Sequence, residues 1–233
     1  AAKTASLDDI LDAQNRMPLS GVGLKNFSPT EGCDSIPEPI LGVAAADPRP
    51  LVIGTTRDEM LLFTTFDPSR AGWTDAEVDL QFAQRFGAKS DEAVAEYRRL
   101  RPDTNPSQLI SAMQTDEMFR VPAQQLAAAR TASTWMYLFD APSTAFGGVL
   151  GSCHASDIPY MFDNLAQPGV PMFLGDDPAQ EVAEHFSAAL IDFARSSEPN
   201  WPQYDKDQRN TQMFGRDASV VGDPEATIRL LWQ

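Results

Sequence analysis

Two short loops hold the residues of this sequence best equipped for proton transfer. The first, Gly54-Thr55-Thr56-Arg57-Asp58-Glu59-Met60, places two carboxylates directly after a short apolar run. The second, Phe146-Gly147-Gly148-Val149-Leu150-Gly151-Ser152-Cys153-His154, delivers a histidine after a glycine-rich approach. A carboxylate that accepts from imidazole Nδ1–H fixes the tautomer, leaves Nε2 to take a proton from a nucleophile, and stabilises the resulting imidazolium. Each residue alone has a plainer reading. Asp58 or Glu59 after a strand is a favourable charge at a helix N-terminus, and a histidine in a loop is usually a satisfied polar residue. His185, beside Val182 and Phe186 in a helical pattern, reads as structural. Cys153 next to His154 suggests a thiol nucleophile, but adjacent side chains in an extended loop point apart.

Both loops need strands to bring them together. Leu51-Val52-Ile53-Gly54 between Pro50 and a polar turn reads as a buried strand, as does Trp135-Met136-Tyr137-Leu138-Phe139. Thr211 to Phe214 gives a third strand and Ala218 to Val221 a fourth. Between the first two the pattern is helical. Thr74 with Glu77 forms a capping box, Ser90 caps a second helix, and a third runs from Ser107 past a kink at Pro122. Asp177-Pro178 starts a long helix to about Arg195. Ser6 caps a helix with Leu7, Ile10 and Leu11 on one side, and Met17 to Pro50 reads as extended and turn-filled. Strands alternating with helices predict an α/β architecture with a mostly parallel sheet, whose ligands bind beyond the carboxyl ends of the strands. Both loops leave strands at that edge.

Composition narrows the partners. Eighteen Lys and Arg against 33 Asp and Glu leave a net charge of −15, which argues against nucleic acid and anionic membrane surfaces. No apolar run approaches the roughly 20 residues that span a bilayer. With 42% hydrophobic residues the chain has material for a sizeable core. Cys33 and Cys153 are one bridge or two thiols, and neither has metal-ligand spacing with the two histidines.

Three motifs in order carry a family resemblance: Gly54-Thr-Thr-Arg-Asp-Glu59, Gly151-Ser-Cys-His154-Ala-Ser-Asp157-Ile-Pro-Tyr-Met-Phe162, and Phe193-Ala-Arg with Glu198-Pro-Asn200-Trp-Pro-Gln-Tyr204. Together they resemble the C-terminal part of a type-B carboxylesterase, the cholinesterase-like branch of the α/β-hydrolases; Pro29 to Pro37 resembles the segment ahead of the acid loop. The resemblance implies the C-terminal portion of an α/β-hydrolase fold, mostly parallel sheet, with a helical insertion between the acid and histidine loops. The whole of 1–233 then belongs to one catalytic domain, with a pocket-lining helical region at about 74–132.

By the same resemblance Glu59 is the acid and His154 the base of a Ser-Glu-His triad. Asp157 supports them where the family usually has Glu, and Phe63 and Phe66 are candidates for an acyl pocket, though core packing is the plainer role. The substrate is a small-molecule carboxylic ester, and no metal or organic cofactor is required. The family's nucleophile sits in Gly-x-Ser-x-Gly, which occurs nowhere in these 233 residues. The expected partner is therefore a complementary N-terminal segment carrying that turn, separate or missing, in keeping with a start at Ala1 that looks trimmed. Without it the Leu51 and Trp135 strands are expected to expose apolar faces and open edges. A catalytically silent binding or scaffold protein of esterase-like fold is the alternative.

Overall fold

A computed structural model describes residues 4–17, 31–215 and 217–233, in two compact units, 1–43 and 44–233. Residues 18–30, which include part of the Pro- and Gly-rich stretch and the start of the Pro29–Pro37 motif, lie outside the described residues, as do residues 1–3.

In the smaller unit Ser6 caps the Leu7–Asn15 helix by accepting from the Asp9 N–H. That helix buries none of its residues, so its apolar stripe is exposed. Part of the region expected to be extended is helical instead, over Ile40–Ala46. Its three consecutive alanines, the best helix formers, outweigh the flanking prolines.

The larger unit is built on four strands, β1 (Leu51–Thr56), β2 (Thr134–Phe139), β3 (Asn210–Phe214) and β4 (Val220–Gly222). They lie in the order β1-β2-β3-β4, with the first two pairings parallel and the last antiparallel. All six residues of β2 are buried, as its apolar and aromatic run predicts, so the apolar face it was expected to expose without a complementary segment is covered here. Its pleat alternates two cores. Trp135, Tyr137 and Phe139 face the Gln180–Ser196 helix, where Phe186 stacks on Phe214 at 4.0 Å. Met136 faces Ala123 and Ala127 of the Val121–Ala129 helix. Burying a large apolar side chain contributes about 1.5–3 kcal/mol, so β2 anchors the layer. β1 ends the sheet among the described residues, and Val52 and Ile53 are half-buried.

The segment between β1 and β2 is helical, with its own core of Val78, Phe82, Tyr97, Leu109 and Ile110, joined by Ile228 and Leu231 from the C-terminal helix. Thr74 and Glu77 form the expected capping box. Three boundaries differ from expectation. Ser90 is the first residue of its helix and caps nothing. The third helix starts instead from Asn105, which makes a capping box with Gln108 ahead of Pro106. The long helix starts at Gln180 with no side-chain cap, after Asp177 and Pro178. The break near Pro122 is a π-helical turn at Asp116–Arg120, and the proline sits in the tolerant first turn of the helix that follows.

Candidate active site

β1 carries its ladder one residue past its end, the Arg57 N–H donating to the Phe139 carbonyl at 2.8 Å, and then turns. Glu59 folds back inside that turn, where its Oε1 accepts the Thr56 N–H at 2.8 Å. The carboxylate is thus 4% exposed but anchored, as a buried charge must be.

The histidine loop is stitched to this turn by its backbone. Asp58 N–H donates to Ser152 O at 2.9 Å, Ser152 N–H donates to Asp58 Oδ2 at 3.0 Å, and His154 N–H donates to Glu59 O at 3.3 Å. Asp58 therefore serves as a loop clasp. Gly151 makes the approach possible: its φ is +55°, and a Cβ there would stand 2.5 Å from Asp58 Oδ2.

That stitching brings Glu59 Oε2 to 2.6 Å from His154 Nδ1. The distance is that of a strong, charge-assisted hydrogen bond. It commits Nδ1 to the carboxylate and leaves Nε2 as the ring nitrogen for a second partner. The imidazole lies between Phe63 and Phe119, with ring centroids at 5.3 and 5.4 Å, and its side chain stays 42% exposed. One edge of the pair is buried and the other is open to a reactant.

Asp157 is buried three residues on. Its Oδ2 accepts the Tyr137 hydroxyl at 3.2 Å, and its hydrogen bond goes there and not to the Glu59–His154 pair. Burial, reinforced by the charge of Glu59, pushes its carboxyl above the usual range. Burial likewise pushes the Tyr137 hydroxyl up, so it stays a donor.

Phe63 and Phe66 are both exposed, so neither is part of the core formed by the described residues. Phe63 touches the imidazole, and Phe66 meets Phe146 edge-on at 5.2 Å and lines a cleft of about 440 Å³ with Leu61, Arg70 and Trp73. Cys153 is a fully buried free thiol that burial pushes up to about 12, the opposite of an activated nucleophile. His185 lies on the exposed side of the Gln180–Ser196 helix. Among the described residues no group of three or more His, Cys, Asp or Glu is placed to hold a metal ion, and no helix is long and apolar enough to cross a membrane.

Beneath the acid loop lies a cluster that sequence reasoning missed. Arg120 reaches from the π-helical turn to Asp116, Glu225 and the carbonyl of Arg57. Its only sequence signal is an Asp and an Arg four apart in a helical stretch; Glu225, distant in sequence, gave none.

Known proteins share sequence and fold with this chain. The sequence profile of the Carboxylesterase family matches residues 2–223. The chain is 30% identical over 248 aligned positions to para-nitrobenzyl esterase of Bacillus subtilis (strain 168), covering 97% of this chain and 47% of that protein. It is 29% identical to phenmedipham hydrolase of Pseudarthrobacter oxydans, over 73% of this chain and 36% of the relative. A solved structure of PNB esterase superposes with a TM-score of 0.74 at 26% identity, over 99% of this chain and 49% of the other. A carboxylesterase of Geobacillus stearothermophilus does so with a TM-score of 0.66 at 30% identity, over 79% and 40%. The chain spans about half the length, or less, of the curated relatives it matches.

Proposed function

Because this chain belongs to the carboxylesterase family, we propose that it supplies the acid, Glu59, and the base, His154, of a Ser-Glu-His triad that hydrolyses small-molecule carboxylic esters. The observation that carries this reading is the 2.6 Å contact between Glu59 Oε2 and His154 Nδ1 at the carboxyl end of β1. The nucleophilic serine lies on a complementary N-terminal segment of the same catalytic domain. Two facts support that: no Gly-x-Ser-x-Gly occurs in the 233 residues, and this chain covers only 47% of the Bacillus relative.

The chemistry follows from the geometry. The serine oxygen attacks the ester carbonyl while His154 Nε2 takes its proton, and Glu59 stabilises the imidazolium. Collapse of the tetrahedral species expels the alkoxide, which receives the proton from His154, and leaves an acyl-serine. Water then attacks the acyl carbon with the same imidazole as base, releasing the carboxylic acid and the free serine. Asp157, held by Tyr137, supports the loop behind the imidazole. Phe63, Phe66 and the helical region at about 74–132 line the acyl side. The acidic composition favours neutral or cationic esters over polyanions.

The test is active-site labelling. With the serine-bearing segment present, a fluorophosphonate should label its serine and a short-chain aryl ester should turn over, and His154→Ala should abolish both. Undiminished labelling and turnover in that variant would remove His154 from the mechanism.

A further inference from the structure

We propose that Arg120 is a positioning residue for Glu59, acting through the backbone of the acid loop. The inference deepens the catalytic reading above and rests on it.

Arg120 has a side chain only 5% exposed, and its guanidinium divides its bonds between two tasks. Nη1 donates to Asp116 Oδ1 at 2.6 Å and to Glu225 Oε2 at 2.9 Å, while Nη2 donates to the Arg57 carbonyl at 2.6 Å. Asp116, fully buried, also accepts the Tyr97 hydroxyl at 2.6 Å. Glu225 also accepts from Arg101 at 3.0 Å and faces the Arg57 guanidinium at 3.6 Å. The charges therefore compensate one another out of water.

Stability alone is a poor account of such a cluster. Desolvating several ions can cost as much as their attraction returns, and apolar replacements of similar shape are often as stable. What an apolar side chain could not do is fix the direction of one peptide carbonyl. Arg57 stands two residues before Glu59, and the Thr56 N–H that anchors Glu59 Oε1 belongs to the preceding residue. Holding the Arg57 carbonyl fixes the peptide that leads into Asp58, whose N–H registers the loop against Ser152.

The element that carries Arg120 supports the same conclusion. The π-helical turn Asp116–Arg120 and the residue before it present three contacts to the site. Thr115, just before it, accepts the Met60 N–H at 3.0 Å; Phe119 packs on the His154 ring; Arg120 holds Arg57. Residues 115–120 thus grip the chain on both sides of Glu59 and touch the imidazole as well. Single π-turns inside α-helical segments recur at functional sites, where the altered pitch re-aims side chains.

The test uses the protein with its serine-bearing segment and reads two quantities, aryl-ester kinetics and the downfield ¹H NMR resonance of the His154 Nδ1–H. Arg120→Lys keeps a cation among Asp116 and Glu225 but loses the planar fork that also reaches Arg57. Misplacement of a catalytic group by about 1 Å can cost about 10²-fold. The expected result is kcat lower by about 10- to 100-fold, KM within about twofold, and the resonance shifted or broadened. Glu225→Gln, which leaves the Asp116 contact in place, should move both readouts the same way by less, and it keeps the proposal testable if Arg120→Lys misfolds. Glu117→Gln, on the exposed side of the same turn, should move neither.

A folded Arg120→Lys or Glu225→Gln protein with unchanged kcat and an unchanged resonance would overturn the proposal. The two readings fail separately. A resonance altered in Arg120→Lys supports positioning even if turnover proves indifferent to His154, the outcome that would defeat the catalytic reading alone.

Discussion

The ring of Tyr137 lies over Gly54. A Cβ built on this glycine would stand 2.4 Å from the ring and 2.5 Å from the Tyr137 carbonyl oxygen. A rotated side chain cannot relieve a clash with backbone, so β1 and β2 would have to part where the acid loop begins. Gly54→Ala is expected to destabilise by about 1–3 kcal/mol, as overpacking does. The check is a shift of the urea midpoint at constant slope, with Gly72→Ala, which meets nothing within 4 Å, as the near-neutral comparison. Equal midpoints for the two variants would mean that the strand pair adapts.

Glu59 and His154 should behave as one device. In Glu59→Gln the amide can still meet the Thr56 N–H, but the charge facing the imidazolium is gone and the amide N–H₂ group favours the wrong tautomer. Loss of the corresponding carboxylate in a serine triad costs about 10⁴-fold in kcat. Expected here is a fall of about 10³- to 10⁴-fold with the fold intact. The double variant with His154→Ala should be no slower than His154→Ala alone. Losses that multiply in the double variant would show two residues working independently.

The thiol next to the imidazole should be inert. A Cys153 group pushed up to about 12 holds only about one thiolate in 10⁴ at pH 8. Alkylation by iodoacetamide in the native state should be slower than for an exposed thiol by about 10³-fold or more, with rapid reaction after unfolding. Cys153→Ser should retain hydrolysis. Fast native labelling at this position would revive the thiol reading.

What the sequence disclosed depended on whether the signal was local. The strands at Leu51 and Trp135 were legible from apolar and aromatic runs, and the Thr74–Glu77 box from four residues. Glu59 and His154 were legible as a pair of candidates because each sits in a loop following a strand and within a motif that resembles the family's. Their pairing followed from the family resemblance and not from local spacing, because the 2.6 Å contact depends on Asp58 clasping Ser152 across the gap. The cluster under the acid loop was not legible. Nothing near Glu225 announces that its carboxylate ends beside Arg120, and the π-helical turn has no sequence signature of its own. Buried charge networks are set by tertiary packing, which single-sequence periodicity does not report.

The same cluster predicts an acid limb to stability. Burial acts to raise the Glu225 carboxyl, but the charges of Arg120, Arg101 and Arg57 outweigh it and hold the group at about 2, against 4.5 ordinarily. Between those values the unfolded chain takes up the proton more readily than the folded one, so stability rises with pH across the window. The Glu225 contribution is therefore complete above about pH 5 and lost as pH falls from there toward 2. Glu225→Gln has no such proton to take up. It should be less stable than the parent at pH 6 to 7, with the gap narrowing steadily from pH 5 to pH 3. Urea unfolding of both proteins across that range measures the gap directly, and a gap that stays constant would mean that the Glu225 charge is not what Arg120 depends on.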